Sequence, residues 1–321
     1  MNKLFWGDWI RNILFVHIPF IALLISPFLQ TTCQATSRKG AVFSKKNLVA
    51  WCIVPFDNKK RGAEERAQML DKLGISKFAY DWRDEHVPFF DKEMEALKRH
   101  HITLQAFWMP YGPNPANDPN YGKILALLKR HHLQTQLWWS YGSNEDGMSN
   151  MSQLQKITTV GNMVKKMAED ALSIGCHVGL YGHGGWFGEP ENQLAILSYV
   201  KMENIGIVYN FNHAEEQMER FSEFFPALIP KLIALNISGL KKGPPGKVVI
   251  VGQGDSEEKM IQLIAESAYR GPIGVINEDS DPDAEIGLLK NMEGLKNILQ
   301  HLGLQRFGEL EIRRTGILRK Q

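Results

Sequence analysis

Cysteine is scarce. Only three occur in 321 residues, and two of them, Cys52 and Cys176, lie beyond the N-terminal apolar segment. A disulfide-stapled scaffold is excluded, because such scaffolds need paired thiols at high density. An excess of one charge is missing as well. Lys and Arg number 37 against 35 Asp and Glu, a net of +2, and no basic run is interleaved with aromatics. Both absences argue against a dedicated nucleic-acid surface. The cationic tail Arg313, Arg314, Arg319 and Lys320 is short and reads as a solvated end. Beyond residue 35 no window is apolar enough to cross a bilayer. What remains is 44% hydrophobic and 22% charged, the composition of a globular chain with material for a sizeable core.

Residues 1–35 read as a signal peptide. Lys3 and Arg11 give a weakly positive start, Ile13 to Leu29 is apolar, and Cys33-Gln34-Ala35 places small residues where a signal peptidase needs them. Cleavage after Ala35 would release an exported protein, periplasmic or secreted. An uncleaved anchor is the second reading, although His17, Pro19 and Pro27 interrupt a run that is short for a span. Lipidation at Cys33 is the third, with Gln30 and Thr32 unsuited to it. A lead-in over 36–46, a folded unit over 47–303 and a tail over 304–321 complete the expected organisation.

From residue 47 short apolar runs alternate with amphipathic stretches. The strand candidates are 47–56, 77–83, 103–110, 135–141, 177–183, 206–211, 232–238 and 272–277. Each is bounded by Gly, Pro, Asn or Asp, as buried parallel strands are. Helical patterns fall at 64–73, 91–98, 124–129, 154–172, 191–202, 257–267 and 284–302. Strand alternating with helix eight times over has one common closed solution, the α/β (β/α)8 TIM barrel. On that layout Cys52 and Cys176 stand on opposite sides, too far apart to bridge, and two free buried thiols are expected.

A partial repeat supports the alternation. Leu97-Lys98-Arg99-His100-His101 leads into a strand ending Phe107-Trp108, and Leu128-Lys129-Arg130-His131-His132 into one ending Trp138-Trp139. The paired histidines invite a metal reading. Each cluster ends a helix, however, where cations complement the carbonyl end of the dipole, and that end faces the floor of a barrel.

Chemistry in this fold comes from strand C-termini and the loops after them. Those positions hold Asp81, Arg83, Glu85 and His86 after strand two, and Trp108 after strand three. His183, Trp186 and Glu189 follow strand five, Asn210 and His213 strand six, Asn236 strand seven, and Asn277 and Glu278 strand eight. Indoles beside amides and carboxylates suit a sugar, whose ring has an apolar face and a hydroxyl edge. Trp108 and Trp186 are expected to face the ligand. Trp82, Trp138 and Trp139 read as core, since adjacent strand residues point opposite ways. His183 sits where strand five breaks into Gly184-Gly185, which would let backbone approach a ligand. Glu189 with Pro190 reads as a helix start, and Asp255 as a helix cap.

The turn His183-Gly184-Gly185, the stretch Asn210 to His213, and Gly252-Gln253-Gly254-Asp255 with Tyr269-Arg270-Gly271-Pro272 carry a resemblance. The chain resembles the xylose-isomerase-like TIM-barrel family, which includes sugar-phosphate isomerases and epimerases and, distantly, endonuclease IV. The resemblance implies one divalent metal (Mn, Mg or Zn) held by a glutamate, an aspartate, a histidine and a glutamate after strands five to eight. Carried over, Tyr181 stands for the first glutamate, Asn210 for the aspartate, Asn236 for the histidine and Glu278 for the last glutamate. His183 and His213 match histidines that flank the metal. The resemblance is therefore to a subgroup with an altered metal site, and any ion would fall to His183, His213 and Glu278.

The first expectation is an exported carbohydrate-active enzyme of isomerase, epimerase or lyase type. His183, His213, Glu278 and Asp81 would be its acid–base groups. Arg83, His86, Trp108, Trp186, Asn210 and Asn236 would hold the sugar. The second is a non-catalytic sugar-binding barrel that has lost the metal. A nuclease is disfavoured for want of a positive groove and a rich ligand cluster.

Overall fold

The computed structural model of the chain describes residues 40–141, 147–243, 247–277 and 283–304. The expected signal peptide, Glu278 and nearly all of the tail lie outside them.

Eight parallel strands close into a barrel: β1 (Leu48–Trp51), β2 (Lys77–Tyr80), β3 (Thr103–Trp108), β4 (Gln136–Trp139), β5 (His177–Tyr181), β6 (Ile205–Asn210), β7 (Leu232–Ile237) and β10 (Ile273–Ile276). Closure is made by β1 lying between β2 and β10, with Ala50 opposite Phe78 and Trp51 opposite Ile276. The expected (β/α)8 barrel is therefore present. The strands stop one to five residues earlier than the apolar runs suggested. In β1 the cause is visible: Cys52 takes φ 57, a left-handed conformation that ends extended pairing. The apolar residues past each strand end belong to the rim instead.

Around the barrel run α1 (Ala63–Leu73), α2 (Phe90–Arg99), α3 (Pro119–Arg130), α4 (Gln153–Leu172), the single-turn α5 (Gly185–Gly188), α6 (Pro190–Val200), α7 (Phe221–Leu228), α8 (Glu257–Glu266) and α9 (Ala284–His301). Two features were not anticipated. One is α7, although Phe221, Phe224, Phe225 and Leu228 follow the i, i+3, i+4, i+7 spacing of a buried helical face. The other is an antiparallel hairpin of β8 (Gly239–Lys241) and β9 (Lys247–Val249) between β7 and α8. Asp255 does not cap α8. Its carboxylate accepts from Lys242 N at 2.7 Å and ties down the hairpin, while Glu257 takes the amides of Gly252 and Gly254.

The core has two layers. Phe78, Tyr80, Phe107 and Trp139 pack between sheet and helices, and a smaller cluster around Trp51, Trp138 and Tyr181 fills the barrel. The helices lock through ions as well. Arg66 on α1 grips Glu93 on α2 at 3.0 Å, with side chains 3% and 2% exposed. At the floor Asn47 donates to Val42 O and Gly271 O and accepts from Lys77 Nζ, joining the lead-in to β1, β2 and β10.

The two Lys-Arg-His-His clusters do the same structural task twice. Arg99 and His100 both hold Glu64, at 2.6 and 2.8 Å, and Arg130 and His131 both hold Asp91 at 2.7 Å. His101 and His132 share φ 55 where the chain turns toward its next strand. Cys52 and Cys176 are buried and not disulfide-bonded. No described helix is long and apolar enough to cross a membrane.

Candidate functional site at the barrel mouth

Inward positions along the strands alternate between large aromatics and very small residues. Trp51 on β1, Trp108 on β3, Trp138 on β4 and Tyr181 on β5 meet inside the barrel, Trp51 to Trp138 at 5.0 Å and Trp108 to Tyr181 at 4.8 Å between centroids. Both pairs are edge-on, the arrangement ring quadrupoles favour. Room for them is made by small neighbours. A Cβ on Gly179 would stand 2.7 Å from Trp138 Cδ1, so β5 must carry glycine there.

Polar groups thread this aromatic plug. Tyr181 Oη accepts from Trp51 Nε1 at 2.9 Å and from Asn210 Nδ2 at 2.7 Å. Asn210 Oδ1 in turn accepts from Asn212 N at 3.2 Å. With both phenol lone pairs engaged, Tyr181 keeps only its O–H to give.

Above the plug lies a cavity of about 600 Å³. Its wall is supplied by the C-terminal ends of β1, β2, β3, β5 and β6 and the loops after them. Five expected site residues line it together: Asp81, Arg83, Trp108, His183 and His213. Asp81 is 2% exposed. The rings of His183 and His213 approach to 3.8 Å with planes 36° apart. Burial lowers the affinity of both imidazoles for a proton. His213 is pushed down to about 3, by burial first and then by the neighbouring His183, and His183 is lowered by burial. Its Nδ1 is shielded from solvent and makes no hydrogen bond. Two neutral imidazoles side by side in an aromatic cavity can take up and return a proton.

The other expected residues are placed elsewhere. His86 lines a neighbouring cavity of about 820 Å³ beside Arg66, Tyr80 and Glu93, and its Nδ1 accepts from Arg83 N at 2.9 Å, which closes the turn over Asp84–Phe89. Trp186 does not line the cavity. Its indole N–H goes to Gln153 Oε1 at 2.7 Å, with Lys156 Nζ 5.7 Å over the ring. Asn210 acts from beneath, through Tyr181. Asn236 is fully buried, beside Gly274 of β10, and among the described residues neither amide atom has a hydrogen-bond partner. Glu278 lies outside the described residues. Glu189 precedes Pro190 at the start of α6 as expected and pairs with Arg220 at 2.9 Å.

Trp51, Cys52 and Tyr111 also line the cavity and were missed. A first strand running to Phe56 would bury Trp51 in mid-strand, whereas β1 ends at Trp51 and leaves it at the rim. The signal was present: Val49 and Trp51 share the inward face of β1 at period two.

A divalent ion is the group the family resemblance implies, and the described residues at the positions carried over do not fit it. Asn210 is committed as donor to a neutral phenol and as acceptor from an amide, whereas hard cations draw on anionic oxygens. Among the described residues no three His, Cys, Asp or Glu side chains converge as a metal site.

No family model matches the chain, and no curated protein does. Solved structures do match, at identities that report on fold alone. A xylose isomerase-like TIM barrel protein from Mycobacterium smegmatis, in complex with magnesium, superposes with a TM-score of 0.54 at 14% identity, over 81% of this chain and 96% of that one. The 3-keto-D-glucoside 4-epimerase from E. coli gives 0.58 at 12%, over 80% and 100%. D-psicose 3-epimerase from Clostridium cellulolyticum H10, with D-tagatose, gives 0.56 at 12%, over 80% and 96%. The chain carries the xylose isomerase-like TIM barrel fold.

Proposed function

We propose that this protein is an exported enzyme that moves a proton on an unphosphorylated sugar, glycoside or keto-sugar, as an epimerase, isomerase or lyase does. The observation that carries the reading is the His183–His213 pair, 3.8 Å apart in a cavity shared with Trp108 and Asp81. One neutral imidazole takes the proton from the carbon next to a carbonyl, leaving an imidazolium and an enediolate, and that imidazolium then returns the proton to the enediolate. Neutral rings at pH 7 suit this, because a base must begin unprotonated. The indoles cover the apolar face of the ring, and Arg83 addresses its hydroxyls. From its position in the sequence after strand eight, Glu278 is proposed as a carboxylate partner. Export rests on the N-terminal segment with Cys33-Gln34-Ala35 at its end, and it favours free sugars over the phosphorylated ones of the cytosol. Sugar epimerases among the fold neighbours support the substrate class.

The test is deuterium wash-in followed by NMR on a panel of sugars and keto-sugars in heavy water. The purified protein should exchange one carbon-bound proton, and the His183→Asn/His213→Asn variant should lose at least about 100-fold of that rate. Exchange at an unaltered rate would sink the reading.

A second reading, a sugar-binding barrel without catalysis, is favoured by one observation. Tyr181, Asn210 and Asn236 put neutral groups where the resemblance expects metal ligands. Saturable calorimetric binding with no exchange, whether or not manganese is added, would select it.

A further inference from the structure

The histidine cavity shares a wall with the second cavity of about 820 Å³. Phe56 and Glu85 line both, so a ligand that reaches past them occupies the two together. Neither His183 nor His213 lines the second cavity. If the sugar reading above holds, on which this inference rests, the reacting ring belongs in the first cavity. The second then suits a part of the same ligand that does not react.

The lining says what that part is. Most of the inner polar groups are already engaged among the described residues. Arg61 is taken by Asp57 at 2.8 Å and by Asp283 at 2.6 Å, and Arg66 by Glu93 at 3.0 Å. His86 Nδ1 accepts from Arg83 N, while Asn58, Lys60 and Lys92 are exposed to solvent. The rest of the wall is largely apolar, with Val54, Pro55, Phe56, Ala63 and Phe89. Phe89 is 49% exposed, a large aromatic side chain open to whatever enters, and Lys92 Nζ stands 5.4 Å over its ring. A second sugar placed here would have hydroxyls to satisfy, and each one buried without a partner costs binding. An aryl group has no such need, and it gains from offset or edge-on contact with two phenylalanines. We infer that the protein takes glycosides with an aromatic aglycone, the sugar ring in the histidine cavity and the aglycone in the second cavity against Phe56 and Phe89.

Calorimetry on the full chain tests this with matched pairs, the methyl and phenyl β-D-glycosides of glucose, galactose and xylose, and with cellobiose. Burying a phenyl ring in place of a methyl group is worth about tenfold or more in affinity, so at least one phenyl glycoside should bind that much more tightly than its methyl partner. Phe89→Ala removes a half-exposed side chain remote from the histidines. It should cut phenyl binding about fivefold and leave methyl binding unchanged, whereas Phe89→Trp should keep the preference. Equal binding within every pair, or a phenyl preference that Phe89→Ala does not alter, overturns the aglycone site. Methyl glycosides that still bind would leave the sugar reading standing. Cellobiose binding more tightly than phenyl glucoside overturns the aromatic assignment and gives the second cavity to a sugar. Failure of every probe to bind overturns both readings.

Discussion

The histidine pair makes a prediction about acid that needs no substrate. His213 is held near 3, whereas an unfolded chain carries its histidine near 6.5. Below pH 6.5 the unfolded state therefore binds a proton that the folded state refuses until about pH 3. This contribution to stability is whole above the unfolded value and is withdrawn as pH falls through that window. One pH unit of such mismatch is about 1.4 kcal/mol. From pH 7 to pH 5 the loss assigned to His213 is therefore about 2 kcal/mol. Carboxylates held low by cations also lose stability in acid. Glu64, brought to about 2 by hydrogen bonds from Arg99 and then His100, does so only below the ordinary carboxylate range, so pH 5 keeps such groups out of the measurement. The perturbation is His213→Asn, which keeps a polar side chain and cannot titrate. Urea denaturation of both proteins at pH 7 and pH 5 gives the result as a difference of differences, whatever the variant does to stability at pH 7. The wild type should lose about 2 kcal/mol more than the variant on acidification. Parallel losses, within about 0.5 kcal/mol, would mean that His213 is not buried against His183 in the folded protein.

Two further substitutions probe the frame of the site. Arg66→Ala leaves the Glu93 carboxylate, 2% exposed, without its partner and should lower stability by about 3–5 kcal/mol in urea. Arg66→Met with Glu93→Leu should recover most of that, and a double variant as unstable as the single one would contradict the ion-pair account. Tyr181→Phe strands the N–H groups of Trp51 and Asn210, which are 3% and 2% exposed. Thermal denaturation should register a loss of about 1–3 kcal/mol, and an unchanged melting temperature would mean that the phenol oxygen is not their acceptor.

The barrel was legible because its signal is periodic and repeated. Eight apolar runs separated by amphipathic stretches leave few closed solutions, and each strand was located to within a few residues. Strand ends were not legible, because apolar residues continue past the last ladder hydrogen bond. Val54 and Phe56 are as apolar as Val49, yet they follow the left-handed Cys52 and belong to the loop. That shift hid Trp51, the indole at the centre of the plug. At the barrel mouth, the convergence of His183 and His213 on one cavity was legible from glycines and position after strands five and six. Trp186 was not separable from them: it shares the same loop, and only its bond to Gln153 shows that it turns outward. His86 fails for a related reason. Three residues past Arg83, its ring nitrogen satisfies a backbone amide instead of a ligand.

The interior of this barrel explains why such distant residues act at one place. Four large aromatic side chains need volume, and the small residues on facing strands supply it. The phenol at the centre then needs donors, which only the neighbouring strands can provide. Asn210 meets that need from β6 and Trp51 from β1, so an asparagine and an indole hold Tyr181 below the histidines. An aspartate at position 210 would be an acceptor facing Tyr181 Oη and could not replace the N–H bond now made there. The phenol would have to turn its own proton onto the carboxylate, keeping only the bond from Trp51 as acceptor. The amide thus gives the phenol the donor it lacks, and the plug so completed forms an aromatic floor beneath His183 and His213.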